Sequence, residues 1–151
     1  MGALKQSEAF FDVWFDGGWN RQLLLAEAMV VIDGKEHHQE WFGSGESNHT
    51  EVRAAILACQ EVLKTAVPPG AILRFIGDSE LVVNFMKGKA QPNKLADVVD
   101  ELRAACAGLP PIQWQHVDRK DNMAGRALER LQARRSRSVS DDQTDWNVRA
   151  T

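Results

Sequence analysis

The apolar residues of this chain follow two periods, one typical of strands and one typical of helices. Short segments rich in aromatic and β-branched residues, bounded by glycine, proline or Asp-Gly, predict five strands. Four further segments repeat their apolar positions at helical spacing. The predicted strands cover residues 10–16, 22–32, 36–43, 71–76 and 112–117. The predicted helices cover residues 51–64, 79–86 and 122–135, with one more between Asn93 and Gly108.

These elements follow one another in the order β-β-β-α-β-α-α-β-α. This order predicts an α/β fold, in which helices pack on a mixed sheet of the α+β type. Asp33-Gly34, between the second and third strands, is a strong hairpin signal. Residues from 136 onward are polar and lack a period, which predicts a flexible tail. We therefore expect a domain over residues 8–135 and a C-terminal tail over residues 136–151.

Length and composition agree with one globular domain, since the chain has 151 residues, 44% of them hydrophobic and 26% charged. The longest apolar stretch, residues 23–32, is interrupted by Glu27 and is shorter than the ~20 residues that span a bilayer. Residues 1–6 carry no export signal, so we expect a cytoplasmic protein that does not contact membranes. Cys59 and Cys106 lie on apolar faces of predicted helices, which predicts buried thiols rather than a disulfide.

Charge is distributed unevenly along the chain. The net charge is −3, but residues 119–137 contain seven basic and two acidic residues. This segment therefore carries +5 and the rest of the chain −8. Such asymmetry indicates a surface that faces phosphates, although a solvated amphipathic helix has the same composition.

Three carboxylates stand where the building of a core does not require them. Asp16 ends the first predicted strand, Glu51 lies in the first turn of the first helix, and Asp78 follows the fourth strand. Each has a simple structural explanation, as a turn residue, a partner of the helix dipole and a helix cap, respectively. Ligands bind open α/β sheets beyond the carboxyl ends of the strands, so we expect the three acids to converge.

Clustered carboxylates repel one another unless a cation neutralises them, and hard oxygen ligands select Mg²⁺ or Mn²⁺. Two such ions about 3.5–4 Å apart suit the attack of water on a phosphodiester. The three acids therefore indicate metal-dependent phosphodiester hydrolysis.

Four segments match the motifs of a known family in order and spacing. They are FDGG around Asp16, SNHTEVRAAILAC around Glu51, GDSELVVNFMKGK around Asp78, and HVDRKDN before the last helix. On these residues the chain resembles type 1 ribonuclease H over residues 10–132. The resemblance implies a five-stranded sheet in 3-2-1-4-5 order, with strand 2 antiparallel and helices on both faces. It also implies hydrolysis of the RNA strand of an RNA–DNA hybrid, which leaves 5′-phosphate and 3′-hydroxyl ends.

The resemblance implies that Asp16, Glu51 and Asp78 are catalytic and bind two Mg²⁺ or Mn²⁺ ions. It implies that Asn48 contacts the hybrid near the RNA 2′-hydroxyls, with Ser47 where a second asparagine is common. It further implies that the loop after residues 79–86 contacts the DNA strand, although solvated surface charge explains the lysines of this loop equally well. The expected nucleic-acid contacts are Gly17, Gly18, Ser47, Asn48, Lys87, Lys89, Lys94, Arg119 and Arg126.

The last helix departs from the family pattern, because Arg126 aligns with the fourth metal-binding acid. A guanidinium cannot ligate a metal. The site then either keeps three acids and a weakened second metal, gains a substitute ligand, or has lost its activity. In the first case Arg126 turns outward to a phosphate or pairs with Glu129 or Glu51. The candidates for a substitute ligand are Asn122, Asp121 and Asp118.

The function that these observations favour is a magnesium- or manganese-dependent endonuclease that acts on RNA–DNA hybrids. We expect a monomer that needs no small-molecule cofactor. The first alternative is a catalytically silent module of the same fold that binds nucleic acid or a protein. The second is a nuclease of the wider superfamily that acts on DNA or structured RNA, from which only contacts such as Asn48 would distinguish it.

Overall fold

The computed structural model describes residues 10–43 and 46–150, with side chains up to Ser136. The five strands are β1 (Phe10–Asn20), β2 (Leu25–Ile32), β3 (Lys35–Phe42), β4 (Ile72–Gly77) and β5 (Ile112–His116). The four α-helices are α1 (Ser47–Leu63), α2 (Glu80–Met86), α3 (Ala96–Cys106) and α4 (Met123–Ala150). Short 3-10 turns over Asn93–Leu95 and Arg119–Asp121 precede α3 and α4. Every helix in this part of the chain is too short or too polar to cross a bilayer.

The strands form one sheet in the order β3-β2-β1-β4-β5, which confirms the implied 3-2-1-4-5 topology. Strand β2 is antiparallel to β1 and β3, whereas β4 is parallel to β1 and β5. Asp33 and Gly34 form the predicted hairpin turn between β2 and β3, both with positive φ angles.

Helices cover both faces of the sheet. The larger core lies under α1, α2 and α3, where Phe15, Phe75 and Trp114 pack edge to face. The smaller core lies under α4, where Ala124 and Leu128 pack with residues of β2. Because α1 and α4 lie on opposite faces, their N-terminal ends can approach the same end of the sheet, near the carboxyl ends of β1 and β4, from two sides.

Strand β1 is longer than the sequence pattern predicts. The Gly17-Gly18 pair predicts its end, but the strand pairs with β2 as far as Asn20, and the turn follows at residues 21–24. Gly17 continues the strand because it lies against α1. A Cβ atom at this position would collide with the backbone carbonyl of Thr50. The absent side chain thus lets α1 approach β1 closely.

Two helix boundaries also differ from the prediction. Helix α1 begins at Ser47 rather than at residue 51, which places Glu51 in its second turn. Helix α4 continues past residue 135 to Ala150, and no glycine or proline after Gly125 interrupts it. The expected flexibility of residues 136–151 stays a prediction, since beyond Ser136 their side chains lie outside the described residues.

Candidate metal and nucleic-acid site

The three predicted acids converge at one end of the sheet. Trp14 of β1 pairs with Ile76 of β4, so two residues further along these parallel strands Asp16 lies beside Asp78. Helix α1 brings Glu51 to the same place through its close contact with Gly17. One carboxylate oxygen from each residue lies within 4.8 Å of the other two.

The structural explanations for these acids do not apply. Asp16 lies inside β1 and not in a turn, and Glu51 lies beyond the first turn of α1. Asp78 does not cap α2, because the side chain of Ser79 accepts the hydrogen bond from the Val82 amide. All three carboxylates are therefore free of the local roles that would otherwise account for them.

Burial and the mutual repulsion of these carboxylates destabilise the folded, metal-free protein. Asp16 is 2% exposed and Glu51 is 9% exposed. Burial, together with the charge of Asp78, raises the pKa of Asp16 to about 7. Burial and the charges of Asp16 and Asp78 raise the pKa of Glu51 to about 10. The positive charge of Arg119 opposes the shift at Asp16.

The cluster fits a divalent cation. Its donor atoms are carboxylate oxygens, which Mg²⁺ and Mn²⁺ prefer. The Oε2 atom of Glu51 is buried and has no hydrogen-bond partner among the described residues. A buried acceptor without a donor is destabilising unless something binds it, and a cation would satisfy this oxygen as well as the neighbouring charges.

Asn122 connects three parts of the site. Its Nδ2 atom donates to the carbonyl of Phe15 at 3.0 Å and to Oδ2 of Asp78 at 3.1 Å. Its Oδ1 atom accepts from the amide of Ala124 at 3.1 Å and so caps α4. The residue is fully buried and presents its nitrogen, not its oxygen, to the acids. In this arrangement Asn122 orients Asp78, and it does not add an oxygen ligand.

The structure does not bring the other two candidate substitutes into the acid cluster. Asp121 ends the exposed 3-10 turn before α4, and Asp118 precedes that turn. Within the described residues, the groups of side chains close enough to hold a metal contain neither of them.

Arg126 lies on the exposed side of α4. The side of the helix that faces the acids carries Gly125 instead, where a Cβ atom would lie 3.4 Å from Asp16 Oδ2 and 3.5 Å from Asp78 Oδ2. Sequence reasoning missed this glycine, although it directly precedes the anomalous arginine. Its missing side chain leaves space next to two carboxylates.

A basic depression of about 600 Å³ adjoins this end of α4 and is lined by Arg119, Lys120, Arg126 and Glu129. Glu129 pairs with Arg119, whose Nε donates to Oε1 at 3.2 Å, and does not pair with Arg126. Three cations and one acid give this surface a net positive charge, and the charge of Arg119 also reaches Asp16 and Asp78. The depression can therefore hold a phosphate close to the acid cluster.

The remaining predicted contacts lie on neighbouring surfaces. Ser47 and Asn48 are exposed at the start of α1, the helix that carries Glu51, and Gly17 and Gly18 follow Asp16 in β1. Three exposed lysines follow α2 or precede α3, and no described acid forms an ion pair with any of them. They are Lys87, Lys89 and Lys94. Their charges are available to a nucleic-acid backbone, but the structure does not bring them into contact with the acids.

A second charged cluster surrounds Glu27 on β2, the residue that interrupts the apolar stretch of residues 23–32. Glu27 is 1% exposed and accepts hydrogen bonds from His38, Gln132 and Arg135. These bonds lower the pKa of Glu27 in spite of its burial. Glu40 also accepts from Arg135. Arg135 thus supplies the cation that this cluster needs, and the cluster fastens α4 to the sheet.

Comparison with known families gives a match over most of the chain. A family model described as reverse transcriptase-like matches residues 14–130, which includes all three acids. The chain belongs to the reverse transcriptase-like family. None of the curated proteins matches this member of the family in sequence.

Solved structures with a similar fold are ribonucleases H. RNase H1 from the halophilic archaeon Halobacterium salinarum superimposes with a TM-score of 0.63 at 21% identity, covering 78% of this chain and 92% of that one. The N-terminal RNase H domain of a Mycobacterium tuberculosis protein gives 0.61 at 22% identity, with coverages of 76% and 86%. LC11-RNase H1, in complex with an RNA/DNA hybrid, superimposes with a TM-score of 0.61 at 22% identity, covering 75% of this chain and 88% of that one. This reverse transcriptase-like chain therefore has the ribonuclease H fold, which confirms the resemblance at the level of the fold.

Proposed function

We propose that this protein is a divalent-metal-dependent endonuclease that hydrolyses the RNA strand of RNA–DNA hybrids. The observation that carries the proposal is the convergence of Asp16 of β1, Glu51 of α1 and Asp78, the residue after β4, with oxygens within 4.8 Å of one another. A buried group of like charges has no structural use here, because each acid lacks a local role. The related fold of LC11-RNase H1, solved with an RNA/DNA hybrid, supports the choice of substrate.

The residues of the site would have three roles: metal binding, orientation of a ligand and stabilisation of the substrate phosphate. Asp16, Glu51 and Asp78 would hold Mg²⁺ or Mn²⁺, and a bound ion supplies an activated water and stabilises the leaving oxygen. Asn122 keeps the Asp78 carboxylate in place through its 3.1 Å hydrogen bond. Arg119, held by Glu129, contributes positive charge where the substrate phosphate approaches.

Recognition of the hybrid rests on groups around the acids. Asn48, exposed at the start of α1, is suited to contact RNA 2′-hydroxyls, with Ser47 and the backbone at Gly17-Gly18 beside it. Lys87, Lys89 and Lys94 would contact the phosphates of the DNA strand. We propose that the protein acts as a cytoplasmic monomer without a small-molecule cofactor.

Arg126 is the residue that raises the alternative function, a silent module that binds nucleic acid or a protein. Gly125 and Arg126 together leave three carboxylates where the resemblance implies four, so we propose that a second ion binds weakly. An arginine on the exposed side of α4 is compatible with activity, because from the basic depression it would bind a substrate phosphate without entering the acid cluster. The same arginine would serve a silent module equally well.

The decisive experiment is a cleavage assay on an RNA–DNA hybrid with Mg²⁺ or Mn²⁺. The wild-type chain should cut the RNA strand, and Asp78→Asn should abolish cleavage without loss of folding. Arg126→Asp should raise activity or metal affinity, because it replaces a positive charge next to Gly125 with a negative one. Arg134→Asp is the matched control, since it reverses an exposed charge further along the same helix.

Binding of the hybrid without cleavage in either metal, by folded protein that magnesium does not stabilise, would refute the enzyme and support the silent module. Cleavage of DNA duplexes or structured RNA in preference to the hybrid would indicate a different nuclease of this fold. Lower activity in Arg126→Asp, with Arg134→Asp unchanged, would show that the arginine has its own role in the reaction.

A further inference from the structure

Two thiols meet across the contact between α1 and α3, away from the acid cluster. The Sγ atoms of Cys59 and Cys106 are 3.6 Å apart, and both cysteines are free. They are the only cysteines of the chain. Cys59 lies within α1 and is 1% exposed, whereas Cys106 is the last residue of α3 and is half-buried. One thiol is thus accessible and the other is close behind it.

The two thiols differ in their tendency to ionise. The hydrogen bond between the two thiols, together with burial, raises the pKa of Cys59. The same hydrogen bond lowers the pKa of Cys106. Cys106, the accessible thiol, is therefore the one that an external disulfide reaches first, and its lowered pKa favours the thiolate that reacts.

We propose that Cys59 and Cys106 form a reversible dithiol site that low-molecular-weight disulfides, such as oxidised glutathione, convert to an intramolecular disulfide. The Cys106 thiolate attacks one sulfur of the reagent, whose S–S bond breaks and releases one thiolate. The Cys59 thiol then gives its proton to solvent and attacks Cys106 Sγ, which releases the second thiolate. The two protein thiols are oxidised, and the reagent is reduced to two thiols.

The local backbone permits this bond. The sulfurs must approach from 3.6 Å to about 2.0 Å. Cys106 ends α3 and is followed by Ala107 and Gly108, so the last turn of this helix can move while α1 stays in place. The bond would link residues 47 positions apart in sequence and fasten α3 to α1.

The acid cluster should not be disturbed by oxidation. Cys59 lies eight residues after Glu51 on α1, which corresponds to about 12 Å along the helix. We therefore expect oxidation to raise the stability of the fold while the affinity for Mg²⁺ stays the same.

The test uses the full chain, reduced and then incubated with oxidised glutathione at about pH 8, where thiolates form. The intact mass of the monomer should fall by about 2 Da, for two lost hydrogens, and dithiothreitol should restore it. The melting temperature should rise by roughly 5–10 °C on oxidation, because the cross-link restricts the unfolded chain. Cys106→Ser should form no internal bond and should leave the buried Cys59 unmodified.

Several outcomes would overturn the proposal. A stable adduct with one glutathione would show that Cys59 cannot reach the mixed disulfide. A disulfide-linked dimer, or an unchanged mass, would show that the two sulfurs do not react with each other. Reaction of Cys106→Ser at the wild-type rate would show that Cys106 is not the first nucleophile. Because the main measurement is made on the wild-type chain, a folding defect in the variant does not affect it.

Discussion

Asp16 is a buried carboxylate beside two others, and its replacement by asparagine tests whether the acid cluster is strained without metal. Asparagine has nearly the same shape and keeps one oxygen for hydrogen bonding, but it removes one negative charge. The carboxylate oxygens lie within 4.8 Å of one another, and at this upper limit and an effective dielectric constant of about 20 two full charges repel each other by about 3.5 kcal/mol. We therefore expect Asp16→Asn to stabilise the metal-free protein.

The pKa of Asp16 gives an independent magnitude. A rise from 3.8 to about 7 corresponds to about 4 kcal/mol of lost stability at neutral pH. Part of this is offset in the variant, because the new amide must find hydrogen-bond partners in a buried place. We expect a net gain of about 2–3 kcal/mol, or roughly 5–10 °C in melting temperature.

The sign of the pH dependence follows from the direction of the shift. A carboxyl group with a raised pKa holds its proton more tightly in the folded state, so folding loses stability as the pH rises. For Asp16 this loss extends from its unfolded pKa of 3.8 to its folded pKa of about 7. The advantage of Asp16→Asn should therefore be small near pH 4, grow through this interval and level off above it.

The assay is urea or thermal unfolding at a series of pH values, with EDTA in one arm and saturating Mg²⁺ in the other. Magnesium should stabilise the wild type more than the variant, because it binds the folded site. Asp12→Asn is the control on the same strand. It removes a carboxylate that Arg74 binds through two hydrogen bonds of 2.8 and 2.9 Å, so it should lower stability. A loss of stability in Asp16→Asn, or a gain that neither pH nor magnesium changes, would refute the reasoning.

Three further substitutions test other parts of the site. Gly17→Ala should lower the free energy of unfolding by at least about 1–3 kcal/mol, because its Cβ atom would lie 2.3 Å from the Thr50 carbonyl oxygen. Gly18→Ala is the control, since its Cβ atom would meet only the ends of side chains at 3.2 Å. Urea unfolding compares the two variants. Glu27→Gln should lower the free energy of unfolding by about 2–3 kcal/mol in the same assay, since it removes the buried partner of Arg135 and leaves this arginine only the exposed carboxylate of Glu40. Asn122→Asp keeps the helix cap but replaces the donor to Asp78 with a fourth acid. Calorimetry should therefore show tighter Mg²⁺ binding, and the metal-free protein should melt at a lower temperature. Unchanged Mg²⁺ binding would contradict this.

Much of the fold follows from local sequence patterns. Short apolar segments bounded by turn residues, together with the hairpin signal at Asp33-Gly34, predict all five strands, because these signals act over a few neighbouring residues. The predicted end of β1 was wrong for a nonlocal reason. Gly17-Gly18 is typical of a turn, but here the glycines continue the strand, since α1 lies too close to leave room for a side chain.

The candidate site is likewise predicted by the sequence only in part. The types and order of Asp16, Glu51 and Asp78 already predict a cation, because three acids in these positions together indicate a ligand although each alone has a local explanation. The resemblance to the family also reveals the replacement at Arg126. Only the tertiary structure decides that Asn122 turns its nitrogen toward Asp78, that Gly125 rather than Arg126 faces the acids, and that Glu129 holds Arg119. The direction of a side chain and the distance between residues far apart in sequence depend on how helices pack against the sheet, and no local pattern carries that information.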